Sequence, residues 1–550
     1  MRRSRLSGRP TEKRLASELG IGALLFLGIL LIYLVFSVSR FDFVTDINAL
    51  DYAQAARHLY RGEGFTTSFI KPLSLVYHRS VERHPELTYP PLHILTTSAV
   101  MHALGPTERA VTHSSGLAFV LTAPLVFLMG LRLFDLRTAT LATVFYGANA
   151  TYLDYAISGL EVSLLSLLLT AVLLLAYLAA RAGRREMVFV AAAGVGMGLV
   201  YLTKYVWILA AIPIAVYLVT MNPQRRFARL AVFVGFGLIV ALPWLVRNYR
   251  LTGNPVFTLR TTEVLGQTKA YPGNSLYRQY AEYVPGALGF TVRNPRAMLE
   301  KVRSGVAALY RGSAALAGVY LTPFFLVAIL VRLGDENFER WRYVIYGSFI
   351  LVAVTLTFLI AAPRLLVPLG PAMTVIATAY FWRLVDQATG RGQSAQVTVP
   401  QGRGRAVTAA VAILLFAHAF PFLVAVTPGR PTTELGPSVV QRACEQVAER
   451  TEGAVLTDMP WAVAWLADRD AVWLPQTQVD LRKVEDAVGP FRWMVLTPLL
   501  PEIAVAERLE PWAAVWRAAL RSDIRDGDFG VQARVGDGRW IVFRRVGPSR

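Results

Sequence analysis

The segment YPPLHILTTSAVMHALG, residues 89–105, is apolar, yet it is short for a membrane span. From Pro91 onward it offers 15 residues, whereas a spanning helix needs roughly 20. It also contains two histidines and the polar run Thr96-Thr97-Ser98. Prolines at its start favour a helix that begins there and lies in the membrane interface. This interpretation matters because a span at this position would invert every loop that follows.

The composition around this segment predicts a polytopic membrane protein. Of 550 residues, 54% are hydrophobic and only 17% are charged, a combination that is rare in soluble domains. A formal charge of +19 would suggest nucleic-acid binding in a soluble protein. Here an excess of Lys and Arg in cytoplasmic loops explains it better, so no nucleic-acid partner is predicted. The single cysteine, Cys444, excludes an intrachain disulfide.

The apolar runs and the charges between them predict one topology. Eleven spans are predicted, at 20–38, 109–132, 138–154, 159–180, 187–203, 205–221, 228–246, 313–331, 342–361, 364–382 and 406–426. Cytoplasmic loops tend to retain Lys and Arg. The N-terminus is basic, and each loop on its side carries at least two Lys or Arg, namely 132–137, 181–186, 222–229, 332–342 and 383–405. We therefore predict a cytoplasmic N-terminus and place residues 89–105 outside.

The first apolar run has an alternative interpretation as a cleaved signal peptide. A weak small-x-small site stands at Ser37-Val38-Ser39. The run is long for the apolar part of a signal, so a retained helix is the favoured interpretation.

Three regions are predicted to lie outside the membrane on the far side. The loop 39–108 holds two interfacial helices, one of them directly after Asp46. Asp51 falls on the polar face of that helix, where we expect a solvated or capping residue. The loop 247–312 carries ten Lys or Arg against three Glu. Residues 428–550 alternate short apolar runs with helical patterns, which predicts a small soluble α/β domain.

This division gives a cytoplasmic basic N-terminus at 1–19, a membrane module at 20–427 and an extracytoplasmic domain at 428–550. The last domain contains no glycine-rich phosphate loop, so no nucleotide site is predicted in it.

The predicted topology gathers ionisable residues at the outer membrane surface, and these are Asp46, Asp154, Glu161, Lys204, Arg247 and Arg364. Such groups are costly at a membrane boundary unless they are solvated, paired or bound to a ligand. An Arg at a helix end is usually a membrane anchor, and an Asp there is usually a cap. Lys204 is harder to explain in this way, because it interrupts an apolar tract where no hydrophilic loop requires it.

These residue types together predict group transfer from a phosphorylated lipid. Carboxylates suit activation of a hydroxyl or amine nucleophile, or binding of a divalent metal. Lys and Arg suit a phosphate leaving group. Tyr89 and His84 lie on the same side of the predicted topology and are further candidates for substrate binding.

Several motifs resemble the GT-C fold glycosyltransferases, in particular bacterial enzymes related to protein mannosyltransferases and to lipid A aminoarabinose transferases. Besides Asp46 with its helix and segment 89–105, four motifs follow in the order found in that family. They are SGLEVSLLSLLL (158–169), GLVYLTKYVWIL (198–209), LPWLVRNYRLTGNPVF (242–257) and PRLLVPLGPAM (363–373). Each motif is weak alone, but their order and shared outer placement carry the resemblance over roughly residues 20–385.

The resemblance implies transfer of a sugar from a polyprenyl-phosphate-linked donor outside the cytoplasmic membrane. It assigns Asp46 as the catalytic carboxylate, with Glu161 and Asp154 as secondary acids that could assist a metal. It assigns lipid-phosphate binding to Lys204 together with Arg247 and Arg364. Many relatives have Asp-Glu where this chain has Asp46 followed by Ile47, so metal use is open. The sugar and the acceptor, which could be protein, glycan or lipid, are also open.

Two other function classes are compatible with the sequence. A transporter or lipid flippase would place polar residues near the bilayer midplane or show repeated halves, and neither pattern is evident here. A non-catalytic scaffold would not need the outer cluster of ionisable residues.

Overall fold

The computed structural model describes residues 12–313, 316–389, 401–426 and 437–547. Up to residue 426 its helices are α1 (Glu12–Arg40), α2 (Ile47–Tyr60), α3 (Pro91–Leu104), α4 (Glu108–Leu133), α5 (Leu136–Gly147), α6 (Ala150–Ala156), α7 (Val162–Ala179), α8 (Glu186–Thr203), α9 (Ala211–Thr220), α10 (Arg226–Thr252), α11 (Ala287–Arg293), α12 (Pro295–Ser313), α13 (Thr322–Ala328), α14 (Glu336–Phe358), α15 (Gly370–Thr389) and α16 (Gln401–Val426). The C-terminal region adds α17 (Pro437–Arg450), α18 (Pro460–Leu466), α19 (Gln478–Val488), α20 (Leu500–Glu507) and α21 (Glu510–Arg521). The strands are β1 (Phe69–Ile70), β2 (Val455–Thr457), β3 (Ala471–Trp473), β4 (Trp493–Leu496), β5 (Arg525–Asp526), β6 (Phe529–Val535) and β7 (Trp540–Arg545).

The chain is a multi-pass membrane protein. Within the described ranges, eight helices are long and apolar enough to cross a membrane, namely α1, α4, α7, α8, α10, α14, α15 and α16. The helix α3, which covers the segment 89–105, is not one of them, in agreement with the sequence prediction. It has 14 residues and begins at Pro91.

Three of the eleven predicted spans are shorter or divided. The span predicted at 138–154 is split into α5 and α6, because Asn149 caps a new helix with its side-chain oxygen. The span at 205–221 begins as a 3-10 helix, Tyr205–Ala210, and continues as α9. Of the span at 313–331, the described residues contain the short helix α13.

The polar face of α2 is buried, so the prediction of a solvated face is wrong. Asp51 is fully buried, and its Oδ2 accepts from Lys71 Nζ at 3.2 Å. Arg57 donates to the carbonyl oxygens of Ala464 and Trp465 at 2.7 and 2.8 Å. These two contacts reach about four hundred residues along the chain to α18. The C-terminal region therefore covers the face of α2 that the sequence pattern assigned to water.

One seven-stranded sheet joins the first loop to the C-terminal region. Its order is β1-β3-β2-β4-β7-β6-β5. The first four strands are mutually parallel, and the β4-β7-β6-β5 part is antiparallel. Strand β1 pairs with β3 through Phe69 opposite Ala471 and Ile70 opposite Val472. A two-residue strand of the first loop thus completes the sheet of the C-terminal region.

The loop between α10 and α14 is held against both neighbours. In this loop Arg278 is buried and donates to Glu507 of α20 at 2.6 Å. Lys301 of α12 donates to three carbonyl oxygens around the end of the 3-10 helix Leu259–Val264. These contacts fix the position of the segment that carries Arg260.

Candidate active site

Asp46 begins α2 and uses its two carboxylate oxygens differently. Oδ1 accepts from the backbone N–H groups of Asn48 and Ala49 at 2.8 and 3.4 Å and so caps the helix. Oδ2 accepts from Nη1 of Arg364 at 2.8 Å. The Asp46 side chain is 31% exposed. One carboxylate oxygen thus holds the start of α2, while the other faces Arg364.

Glu161 and Lys204 form a buried ion pair at the ends of two helices. Glu161 stands at the start of α7 and Lys204 at the end of α8, and Nζ lies 2.5 Å from Oε1. Lys204 ends its helix in an extended conformation and precedes a 3-10 helix, which matches the predicted tight turn. Both side chains are more than nine-tenths buried. The pair places a cation at the boundary of the apolar core.

Arg260 joins these residues, although the sequence singled it out only as one of ten basic residues in its loop. Its Nη1 donates to Glu263 at 2.7 Å, and its guanidinium lies 4.8 Å from the ring centroid of Tyr89. Burial lowers the pKa of Lys204 to about 8, Glu161 opposes this shift, and the nearby charges of Arg260 and Arg364 reinforce it. Three cations therefore lie close enough to repel one another.

A cavity of about 610 Å³ adjoins the three cations, and Lys204, Arg260 and Arg364 all line it. Tyr89 lines it too, and its hydroxyl donates to Asn48 Oδ1 at 2.9 Å. One side, which we name the membrane wall, is apolar and consists of Val206, Leu209, Leu356, Leu359 and Ile360. Clustered cations beside an apolar wall suit a ligand that has a phosphate attached to a hydrocarbon chain.

Of the predicted site residues, Lys204, Arg364 and Tyr89 line this cavity. Asp46 and Glu161 do not line it themselves and are connected to it through Arg364 and Lys204. The remaining predicted site residues do not line it and have different surroundings. Arg247 donates to the carbonyl oxygens of Phe65 and Glu86 and lies 4.4 Å from the ring centroid of Trp244. Its guanidinium thus ties α10 to the first loop.

His84 and Asp154 also lie outside the lining of the cavity. His84 is buried, with ring nitrogens 2.7 Å from Ser74 Oγ and 2.8 Å from the Ser80 carbonyl oxygen. Burial lowers the pKa of His84 to about 4, so this imidazole is neutral at neutral pH. Asp154 is exposed near the end of α6. These surroundings fit structural roles for His84 and Arg247 better than contact with substrate.

The carboxylates that could hold a metal already have cationic partners. Asp46 accepts from Arg364, and Glu161 accepts from Lys204. No group of three or more His, Cys, Asp or Glu residues with metal-binding proximity occurs among the described residues. A divalent cation needs several oxygen ligands that are free to face it. The donor set therefore fits a metal poorly.

Solved structures with the same fold are membrane glycosyltransferases. ArnT from Cupriavidus metallidurans, bound to undecaprenyl phosphate, matches with a TM-score of 0.58 and 16% identity over 96% of this chain and 99% of that one. The oligosaccharyltransferase AglB from Archaeoglobus fulgidus, in complex with an inhibitory peptide and a dolichol-phosphate, gives 0.55 and 12% over 89% and 72%. The arabinofuranosyltransferase AftD from Mycobacteria gives 0.50 and 14% over 96% of this chain and 40% of that one.

The chain therefore has the GT-C fold of membrane glycosyltransferases, as its motifs predicted. Within that class, residues 88–246 match the family model of dolichyl-phosphate-mannose-protein mannosyltransferases. The matched segment extends from α3 into α10 and includes Glu161 and Lys204. No curated protein sequence matches the chain.

Proposed function

We propose that the protein is a glycosyltransferase that moves a sugar from a polyprenyl-phosphate-linked donor to an acceptor on the extracytoplasmic side of the membrane. The observation that supports this most is the set of three cations, Lys204, Arg260 and Arg364, in one cavity beside Asp46. The structures that share the fold include complexes with undecaprenyl phosphate and with dolichol-phosphate.

The three cations bind the donor phosphate in this proposal. Charge-assisted hydrogen bonds from Lys and Arg stabilise phosphate oxygens, and they strengthen as negative charge develops on the leaving group. The membrane wall receives the first isoprenoid units, because the apolar segment 205–220 and the end of α14, with the two residues that follow it, supply its side chains. In this arrangement the phosphate of the donor contacts the three cations, and its isoprenoid tail contacts the membrane wall on the same side of the cavity.

Asp46 acts as the general base. An acceptor hydroxyl oxygen attacks the anomeric carbon of the donor, a new C–O bond forms, and the bond from that carbon to the phosphate oxygen breaks. The hydroxyl proton moves to Oδ2 of Asp46, and the polyprenyl phosphate leaves with the bonding electron pair. Arg364 is bonded to Asp46 and lines the cavity, so it aligns the base with the leaving group.

The distribution of charge supports the side of the membrane in this proposal. Asp46 follows the first membrane helix, and the basic N-terminus precedes it. Lys204 likewise lies at the opposite end of its flanking helices from the basic loops 181–186 and 222–229. Because Lys and Arg favour cytoplasmic loops, this arrangement supports a cytoplasmic position for those loops. We accordingly place the cavity and the C-terminal region outside the cytoplasmic membrane. Labelling of single introduced cysteines with a membrane-impermeant maleimide in whole cells, after replacing Cys444, would test this. Labelling at residue 183 but not at residue 538 would contradict it.

Transfer without a divalent metal is part of the proposal, because Asp46 and Glu161 are already neutralised by cations. We expect less than a twofold loss of transfer in excess EDTA, measured with the purified protein in proteoliposomes. A loss of more than tenfold that added Mg²⁺ or Mn²⁺ restores would contradict the metal-free mechanism.

The decisive experiment is mass spectrometry of the lipids that co-purify with the protein. We expect a polyprenyl phosphate, and a sugar still attached to it would identify the donor. Arg260→Gln should lower the amount of bound lipid at least tenfold, because it removes one of the three cavity cations. Arg247→Gln is the matched control and should retain the lipid, since Arg247 does not line the cavity. Absence of any polyprenyl phosphate from the wild type, even after its addition to the membranes, would overturn the proposal.

A further inference from the structure

The loop 247–312 carries exposed positive charge that neither the cavity nor the packing of the loop uses. Each of its three glutamates already has a cation beside it, and these pairs are Glu263–Arg260, Glu282–Arg79 and Glu300–Lys269. Five other arginines of the loop are exposed and form no ion pair within the described part of the chain, and they are Arg250, Arg293, Arg296, Arg303 and Arg311. Uncompensated cations on one surface attract an anionic partner.

The helix α12 places two of these arginines in line with exposed apolar side chains. Arg296, Leu299, Arg303, Val306 and Tyr310 follow one another along α12 at alternating steps of three and four residues. Residues at this spacing share one face of a helix. Leu299, Val306 and Tyr310 are 69, 54 and 79% exposed. We name these five residues the α12 stripe, and it combines apolar surface with two cations.

The opposite side of α12 packs against the end of a membrane-spanning helix. Gly305 is buried, and a Cβ atom added there would lie 3.1 Å from the Cα of Thr357, in the last turn of α14. Because α14 is long and apolar enough to cross the membrane, its end marks the membrane boundary, and α12 lies at that level. Lys301, also on the buried side, donates to three carbonyl oxygens of the same loop. These contacts hold the α12 stripe in a fixed orientation.

The preceding helix, α11, repeats the combination of exposed apolar and basic side chains. Leu288 and Val292 are exposed and stand one turn apart, and Arg293 ends the helix. Helices of this composition lie in the membrane interface, where apolar side chains enter the acyl boundary. The long arginine side chain extends from that depth to the phosphate groups. A bilayer therefore supplies partners for both parts of the surface, and α14 already brings α12 to its boundary.

We propose that the α12 stripe binds anionic phospholipids in the leaflet on the side of Asp46. The guanidinium groups of Arg296 and Arg303 donate to phosphate oxygens, while the apolar side chains of the stripe enter the acyl boundary. A zwitterionic headgroup cancels its phosphate with its own cation, so lipids with a net negative charge are enriched. Each arginine near an anionic surface strengthens this attraction by roughly fivefold. The surface is separate from the cavity, whose described lining includes none of the five stripe residues.

The test is a fluorescence-quenching measurement on the full-length protein in proteoliposomes. Leu299→Cys, in a Cys444→Ala background, is labelled with bimane, so that the label stands between Arg296 and Arg303. The vesicles contain equal amounts of phosphatidylglycerol and phosphatidylcholine, and bromine atoms are placed on the acyl chains of one lipid or of the other. Val505→Cys, in the same background, gives the control position for the label, because Val505 is exposed on α20 of the C-terminal region.

We expect brominated phosphatidylglycerol to quench the label at residue 299 at least threefold more than the label at the control position. It should also quench the label at residue 299 at least twofold more than brominated phosphatidylcholine does. Arg296→Gln with Arg303→Gln should bring this ratio between the two lipids close to one. Arg482→Gln with Lys483→Gln removes the same charge from an exposed part of α19 and should leave the ratio unchanged. All four substituted side chains are exposed, so each double variant should unfold at the temperature of the parent protein.

Three results would overturn the assignment of the α12 stripe to anionic lipids. Quenching at residue 299 no stronger than at the control position would show that the stripe faces water or protein, and cross-linking between two copies through residue 299 would identify a second copy as the occupant. A ratio close to one in the parent protein would leave an apolar anchor without lipid preference. A ratio that persists in Arg296→Gln with Arg303→Gln would assign the preference to other charges. None of these measurements depends on sugar transfer, so the proposed function is tested separately.

Discussion

Asp46 combines a structural and a chemical task on one side chain. One oxygen caps α2 through the N–H groups of Asn48 and Ala49, while the other faces Arg364. Asparagine caps helices about as well as aspartate, so Asp46→Asn should leave the fold intact. It cannot accept the proton from an acceptor hydroxyl, and general-base catalysis typically contributes 10²–10⁴-fold. The variant therefore separates the two tasks.

We expect Asp46→Asn to lower the transfer rate by about 10²-fold or more. The measurement is transfer from the native donor in proteoliposomes, with thermal unfolding and lipid binding measured in parallel. Asp42→Asn is the matched control, because Asp42 is an exposed residue of the same loop. Wild-type transfer by Asp46→Asn would remove Asp46 from the mechanism.

The contribution of the Glu161–Lys204 pair to stability can likewise be measured separately from its contribution to lipid binding. Lys204→Met alone leaves the buried Glu161 without its cation, which should cost roughly 3–5 kcal/mol of stability. The double variant Lys204→Met with Glu161→Gln removes both charges and should recover most of that loss. It should still bind polyprenyl phosphate at least tenfold more weakly, because the cavity has lost a cation. Thermal unfolding and lipid binding of the wild type and of both variants form the test.

Recovery of both stability and lipid binding in the double variant would contradict the role of Lys204. It would show that the pair serves the fold alone.

At the scale of elements, the sequence predicted the positions of helices far better than it predicted which of their faces are buried. The length of α3 and the turn at Lys204 were predictable, since both depend on local patterns of apolar residues. The burial of Asp51 was not, because the residues that cover the polar face of α2 come from α18. The strand β1 was not predicted either, since two residues carry no periodicity and pair only when β3 is already present.

In the candidate site too, local sequence motifs identified some residues, whereas a residue brought in from a distant part of the chain was missed. The motifs pointed to Asp46, Glu161, Lys204 and Arg364, which the fold brings to one region. They did not single out Arg260, whose proximity to Tyr89 depends on how the loop 247–312 packs. A site residue on a long loop belongs to no motif of characteristic spacing, so the sequence does not indicate which residues it will contact.

The carboxyl ends of β2 and β4 meet in a buried pair that predicts a pH dependence. Asp458 is fully buried and accepts from the N–H and hydroxyl of Thr497 at 2.9 and 2.6 Å. Burial raises the pKa of Asp458 to about 6 from an ordinary value of 3.8. Between these values the folded protein holds a proton that the unfolded chain has lost. Its contribution to stability therefore falls as pH rises through this window and is constant above it.

We expect Asp458→Asn to lose this component of the pH dependence, because the amide keeps an acceptor for Thr497 and does not ionise. The difference from wild type between pH 4 and pH 7 should be on the order of 3 kcal/mol at most. Thermal unfolding of the solubilised protein at both pH values measures it. Asp486→Asn, at an exposed position on α19, should follow the wild type. An unchanged pH dependence in Asp458→Asn would contradict the assignment.

At the scale of the whole molecule, the membrane module and the C-terminal region share their interior. Strand β1 of the first loop completes the C-terminal sheet, and Arg278 of the middle loop is buried against Glu507. Without β1 the edge of β3 would lose its pairing at Ala471 and Val472, and without Glu507 the buried Arg278 would lose its carboxylate partner. We infer that the two regions unfold together.

Two arginines at the C-terminal end of α2 test this cooperativity, because Arg57 within the helix and Arg61 directly after it both reach the C-terminal region. Arg57 is buried, donates to two carbonyl oxygens of α18 and lies 4.5 Å from the ring centroid of Trp465. Arg57→Ala should cost roughly 1–3 kcal/mol for each buried group that loses its partner. Arg61→Ala removes a bond to the exposed Asp468 and should cost about 1 kcal/mol or less.

The unfolding transition is followed by two probes, tryptophan fluorescence and proteolysis within the middle loop 247–312. If the regions form one cooperative unit, Arg57→Ala shifts both probes by the same amount and the transition remains single. Arg61→Ala should shift neither probe by more than about a third of that amount. A separate, earlier transition for the C-terminal region in Arg57→Ala would show instead that the two regions are stable independently and meet only at a surface.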